Sequence, residues 1–110
     1  MAKQKSIVLV PFPYSGQTGS KVRPALVISN QKFNGNDDAI ICALTSSIKD
    51  RPYSLLISEK DTIHKRLRDE SQIRVDALTR INKSLIIKEI DILNDVTFNK
   101  ALKLLYSIFD

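Results

Sequence analysis

Residues 22–29 run Val22-Arg23-Pro24-Ala25-Leu26-Val27-Ile28-Ser29, apolar at nearly every place. A strand that is apolar on both faces needs cover on both: a core on one side, a helix or a second subunit on the other. Pro24 fixes its own φ, pushes Arg23 into extended backbone and cannot donate to a ladder, so it marks a strand start or an edge. Arg23 thus leaves the backbone in a set direction, just after a stretch that carries Gly16, Gly19 and Ser20. A planar guanidinium held there is placed to grip a phosphate. Taken alone, the plainer reading is a basic flank of a core strand.

The neighbouring segments point the same way. Ile7-Val8-Leu9-Val10, closed by Pro11-Phe12-Pro13, predicts a first strand, and Ala39-Ile40-Ile41-Cys42-Ala43-Leu44-Thr45 predicts a third. Residues 53–58 give a fourth after Pro52. Gln72-Ile73-Arg74-Val75-Asp76-Ala77 alternates, which places Gln72, Arg74 and Asp76 on one face of a strand. Residues 78–81 and 85–93 continue as short strands or turns. Residues 14–21 have no apolar side chain after Tyr14 and read as a loop; 30–38 read as a polar connection, 59–69 as a charged loop with a helical turn. Asn94 or Asp95 caps a final helix, with Phe98, Ala101, Leu102, Leu105, Ile108 and Phe109 at helical spacing. The expectation is one domain over residues 1–110, mainly β with a C-terminal helix, built as a small SH3-like barrel.

Charge narrows the partner. The chain has 17 Lys and Arg against 12 Asp and Glu, a net charge of +5. The excess is local: Lys3, Lys5, Lys21, Arg23 and Lys32 all precede the first acid, Asp37, and beyond it the two signs balance. A polyanion at that end fits this distribution. No apolar run approaches the ~20 residues that span a bilayer, nor do the first residues read as a signal peptide. Cys42, the single cysteine, lies in an apolar strand and reads as core, with no disulfide inside the chain. The expectation is a cytoplasmic protein with no membrane partner.

Several chemistries lack their residues. His64 is the one histidine, set among Lys65, Arg66 and Arg68, and no Cys, His and carboxylate cluster has ligand spacing. Asp37 and Asp38 read as loop acids without partners. Gly16-Gln17-Thr18-Gly19-Ser20-Lys21 lacks the spacing of a phosphate-binding glycine loop, and no Gly-x-Ser-x-Gly elbow occurs. Neither metal nor cofactor is expected. What remains is chemistry that needs no protein nucleophile, and RNA supplies it through its own 2′-hydroxyl. The protein then has to orient the nucleotide, move a proton and stabilise the charged phosphorane, where each well-aimed donor contributes ~3–4 kcal/mol.

Ile7-Val8-Leu9-Val10-Pro11-Phe12, Arg23-Pro24-Ala25-Leu26-Val27-Ile28-Ser29 and Ala43-Leu44-Thr45-Ser46-Ser47 occur in order. Together with Ile73-Arg74-Val75-Asp76 and Leu78-Thr79-Arg80-Ile81, this pattern resembles the MazF/PemK (Kid) family of ribosome-independent endoribonuclease toxins. The resemblance implies the SH3-like barrel of PemK and CcdB, a homodimer, and a cognate antitoxin that blocks the RNA groove. It further implies metal-independent cleavage of single-stranded RNA to 2′,3′-cyclic phosphate ends. By position, it assigns Arg23 to the phosphate and to proton transfer, Thr45 to the transition state, and Arg74 with Asp76 to a catalytic Arg-x-Asp pair. Phe12, Tyr14, Gln17, Lys21, Ser46 and Gln72 are its candidate RNA contacts. Ala77 stands where other branches have glutamine, and residues 14–21 lack the histidine that the Kid branch uses there.

Plain readings sit beside these. Arg74 and Asp76 can be a surface ion pair worth ~0–1 kcal/mol, and a strand-ending threonine serves β-propensity or a turn. Lys3, Lys5, Lys21 and the Lys65, Arg66 and Arg68 cluster can meet RNA phosphates, but the cluster reads first as a solvated surface helix. Two rival functions stay open: a gyrase-inhibiting toxin similar to CcdB, against which the absence of tryptophan counts, and a silent RNA-binding barrel. Salt titration of RNA binding tests the electrostatic reading. If about five phosphates are neutralised, log affinity falls with log salt at a slope of about −3.5, and a slope near zero removes the argument.

Overall fold

Among the described residues six strands and two helices follow in order. They are β1 (Ser6–Pro13), β2 (Ser20–Val27), α1 (Gln31–Asn34), β3 (Asp38–Thr45), β4 (Ser54–Ile57), β5 (Ser71–Asn82), β6 (Lys88–Ile92) and α2 (Asp95–Ser107). The structure, a computed structural model, describes residues 3–13 and 20–110, the side chains of Pro13 and Ser20 apart. Tyr14 and Gln17, with the rest of 14–19, lie outside the described residues. Ser20 and Lys21, expected in the loop, are strand because they pair with Pro13 and Phe12.

The strands form one antiparallel, curled sheet in the order β4-β5-β3-β2-β1-β6. Prolines sit where a neighbour is missing. β6 leaves β1 after Leu9, so Pro11 and Pro13 fall on a stretch paired on one side only. Pro24 lies within β2 rather than at its start, and pairing to β3 begins one residue later, at Ala25.

Both faces of β2 are covered by the chain itself. Ile7, Leu26, Cys42, Leu44, Ile73 and Val75 pack with Phe98, Ala101 and Leu105 of α2 in one core. Val8, Val10, Ala25, Val27, Ile41 and Ile81 pack with Ile86 in a second. The helix expected over β2 is α2, which covers the Leu26 face, while the curl of the sheet brings its own residues over the face of Ala25 and Val27. α2 starts where expected, with the Asn94 side chain accepting from Thr97 N (2.8 Å). Phe98, fully buried, contributes about 2–3 kcal/mol. Phe109 departs from the expected stripe; it lies past the last helical residue and is 76% exposed.

Three segments differ from the sequence reading. Residues 30–38 hold a one-turn helix, capped by Asn30 and pinned by buried Asn34, whose Nδ2 donates to Ser29 O (2.8 Å). Asp38 opens β3 and pairs with Arg80 Nε at 2.6 Å, so it is not a partnerless loop acid. Residues 71–82, expected as fragments, are one strand of 12 residues with a bulge: Cys42 faces Leu78 while Ala43 faces Arg74, leaving 75–77 as the extra length.

Closure comes from the segment after β4. A 3₁₀ turn at Glu59–Asp61 leads to Thr62, which bridges Leu93 just past β6, and Ile63 N donates to Ile92 O (2.8 Å). The two edge strands are thereby tied into a barrel. Asp91, fully buried, fixes this closure: its carboxylate accepts from the backbone N–H of His64 (2.9 Å), Arg66 (2.7 Å) and Ile92 (2.7 Å). Burial pushes its pKa up, but these donors and the Thr62 side chain outweigh it and hold the carboxyl below its usual value.

The sign of the linkage follows. A depressed folded pKa stabilises fully above the unfolded carboxyl value of about 3.9, and the contribution is lost as pH falls through the folded pKa. Asp91→Asn turns one acceptor into a donor facing N–H groups and is expected to cost about 2–4 kcal/mol at pH 7 in urea unfolding. The gap to the unaltered protein should narrow below about pH 4. A gap that stays constant with pH would show the carboxylate's charge to be irrelevant to closure.

Candidate active site

Register gathers the sequence-predicted residues on three adjoining strands. Val10 faces Arg23 and Val8 faces Ala25 across β1 and β2; Ala25 in turn faces Ala43 on β3. Extending that register by two residues sets Arg23 opposite Thr45. Thr45 faces Gln72 on β5, and Ala43 faces Arg74. Paired residues share a face, so Arg23, Thr45, Gln72 and Arg74 belong to one side of the sheet. The bulge after Arg74 interrupts the ladder next to this row, a common device for re-aiming side chains.

Arg23, Thr45 and Ser46 also line a cleft of about 880 Å³ whose apolar lining includes Leu9, Pro24 and Leu44. The remaining sites lie elsewhere. Phe12 is half-buried against the second core, and Lys21 is exposed opposite it. Arg74 and Asp76 do not line the cleft; Nε and Oδ1 stand 3.6 Å apart. Arg74 Nε is shut off from solvent and, among the described residues, has no hydrogen-bond partner. Asp76 is exposed, and its charge, after burial itself, helps push the Cys42 thiol up to about 12. Cys42 is buried and stays a thiol, so it is no nucleophile.

Gln72, the expected RNA contact, also has a structural role. Gln72 is buried, and its amide is engaged on both atoms: Nε2 donates to Lys49 O (2.6 Å), while Oε1 accepts from Lys49 N (3.2 Å) and from Arg51 Nη1. Arg51 also donates to Ser47 O (2.8 Å). Together they template residues 46–53, which follow Thr45 directly. Thr45 Oγ1 accepts from Ser47 N (3.1 Å), the turn bond of the plain reading, and this orients its hydroxyl.

The cleft also holds Lys65, Arg66 and Arg68, which the sequence offered as phosphate contacts but read first as a surface helix; they line it from an exposed loop, and Leu67 between them is buried. Lys88 joins them, together with the acids Glu59, Asp69 and Glu89. The signal for Lys88 is in the register alone: Leu9 faces Lys88 on one side and Pro24 on the other. Five cations against three acids leave the cleft net positive. Lys5, by contrast, is engaged by Asp95 at 2.8 Å. Among the described residues no group of three or more His, Cys, Asp or Glu could hold a metal ion, and no helix is long and apolar enough to cross a membrane.

The family model of the PemK-like, MazF-like toxins of type II toxin–antitoxin systems matches residues 3–109. The chain belongs to this family. An endoribonuclease solved with its cognate antitoxin from a mycobacterial species superposes with a TM-score of 0.78 at 17% identity, over 97% of this chain and 93% of that one. The Mycobacterium tuberculosis toxin MazF-mt6 gives 0.76 at 12% identity over 96% of each chain. A MazE–MazF structure from Deinococcus radiodurans gives 0.76 at 20%, covering 97% and 94%. At these identities the likeness fixes the fold, a MazF-type barrel with its C-terminal helix. No curated protein matches the chain.

Removing the Gln72 amide tests the template. In Gln72→Ala, amide hydrogen exchange at Lys49 should accelerate while Leu44 and Ile73 stay protected, at a stability cost of about 1–2 kcal/mol. Unchanged exchange at Lys49 would mean that residues 46–53 hold themselves.

Proposed function

We propose that this toxin is a metal-independent endoribonuclease. It cleaves single-stranded RNA by attack of the substrate's 2′-hydroxyl on the adjacent phosphorus. The bond to the 5′-oxygen breaks, leaving a 2′,3′-cyclic phosphate and a 5′-hydroxyl. One proton leaves the 2′-oxygen and one is delivered to the departing 5′-oxygen. Growth inhibition follows from loss of message, held in check by a cognate antitoxin, and the working form is a homodimer.

The observation that carries this reading is the meeting of Arg23 and Thr45 in one net-positive cleft. Charge builds on the non-bridging phosphate oxygens as the phosphorane forms, and a guanidinium fixed by the Arg23-Pro24 peptide can meet two of them at once. The Thr45 hydroxyl, already holding Ser47 N on its lone pair, keeps its proton to donate. Arg74 and Asp76 stand on the neighbouring strand as an ion pair beside the same row. Asp76, Arg23 or water moves the two protons, and the exposure of Asp76 supports its share in this. Chain membership in a toxin–antitoxin family and neighbours solved with their antitoxins support the partner.

Purified protein is expected to cut a long single-stranded RNA in EDTA, with cyclic phosphate ends identified by mass spectrometry. Arg23→Ala should lose ~100–1000-fold in rate and Thr45→Val a similar factor, with unfolding midpoints unchanged. Full activity in folded Arg23→Ala removes this residue from the mechanism. Salt-sensitive binding with no cleavage by the unaltered protein leaves a silent RNA-binding barrel instead.

A further inference from the structure

We propose that residues 65–68 form a second phosphodiester grip, which holds an RNA phosphate beside the scissile one, and that Asp91 is its positioning residue. The proposal rests on the RNA reading above and names the part of the substrate that the far side of the cleft takes. The placement, exposure and backbone of this loop carry it. Lys65, Arg66 and Arg68 line the same cleft as Arg23 and Thr45, so a strand of RNA bound at Arg23 passes them. All three side chains are exposed, and no ion pair involves them among the described residues.

The loop that carries them is held rather than free. Lys65 has φ 56°, a left-handed backbone that a lysine rarely adopts. That conformation turns the N–H groups of His64 and Arg66 toward one point, forming a backbone anion nest. The occupant is the buried Asp91 carboxylate, at 2.9 and 2.7 Å. Leu67, buried in the core with α2, anchors the same loop. An internal carboxylate thus takes the place of a ligand in the nest, and the cationic side chains of the same residues are left to face the cleft. A loop kept for packing alone would not need a strained lysine to present its charges.

The test separates this grip from the chemistry. The probe is a short fluorescent 2′-O-methyl RNA, which cannot supply the attacking oxygen, titrated by anisotropy at several salt concentrations. Arg66→Gln/Arg68→Gln should bind roughly tenfold more weakly, with the salt slope shrinking by about 1.4, or about 0.7 for each phosphate released. On cleavable RNA the change should fall on KM rather than kcat. Lys100→Gln/Lys103→Gln removes the same charge from the exposed side of α2 and should keep both slope and affinity. Asp91→Asn keeps every cation and should reproduce the loss of slope; if it does not fold, the double variant on exposed side chains decides. A folded Arg66→Gln/Arg68→Gln protein with unaltered affinity and slope overturns the proposal, whether or not the unaltered protein cleaves RNA. Loss of binding to a polyglutamate peptide with RNA binding intact would make the loop a protein-docking surface, and would overturn it too. Absence of cleavage by the unaltered protein, with the slope still falling in the double variant, would sink the nuclease reading and leave the grip standing.

Discussion

A single buried carboxylate decides whether this sheet is open or closed. β4 and β6 are its two edges, and an edge is a row of unmet backbone groups. Thr62 and Ile63 carry the chain from one edge to the other, but a bridge and one hydrogen bond make a weak seam. Asp91 reinforces it with charge-assisted bonds to two loop N–H groups and one of its own strand. Asp61 does similar work nearby, accepting from Ser58 N and from the Thr97 hydroxyl, which ties the turn to α2. The seam is polar because it joins backbone to backbone, where no apolar side chain can satisfy the groups that must be met.

The cleft is a consequence of that seam. One part of its lining comes from the middle of β2, the end of β3 and the neighbouring β1 and β6, the other from the loop that Asp91 holds. Positioning on the strand side is set by register and by Pro24; on the loop side it is set by the nest. Ser46, which opens the segment templated by Gln72 and Arg51, also lines the cleft. Charged side chains that must repel one another in a small volume therefore rest on backbone fixed by buried acceptors, and the repulsion is met before any substrate arrives. That is preorganisation in the electrostatic sense.

How much of this could be read from the chain depends on what kind of contact is involved. β1 to β3 and α2 were legible because apolar periodicity reports the burial of side chains. The Arg23-Pro24 pair was legible because proline constrains its neighbour whatever the fold. β5 was read as fragments: its later half alternates poorly, with Leu78 and Arg80 exposed and Thr79 half-buried, and a bulge resets the phase. Asp91 and Gln72 escaped for another reason. Their partners are backbone groups some two dozen positions away in sequence, and a backbone N–H carries no letter. Gln72, Arg74 and Asp76 looked like one functional face; the bonds of Gln72 separate it from the other two.

The doubly apolar β2 carries a further lesson about what sequence patterns entail. Burial on both faces is a statement about water, not about whose atoms exclude it. A flat sheet would have needed a foreign layer, and this was the physical ground for expecting a second subunit there. A curled sheet of short strands supplies the layer itself, because residues from β1, β3 and β5 come round over the second face. Association of two copies would then have to use side chains that remain outside, such as Ile48, Leu56 and Leu78, which are 48%, 52% and 42% exposed. These sit on or beside β3, β4 and β5, the strands that also carry Thr45, Arg74 and Asp76. A partner copy docked there would abut the row of Thr45, Arg74 and Asp76 rather than the back of the barrel, so that subunit contact and the proposed substrate path would share an edge.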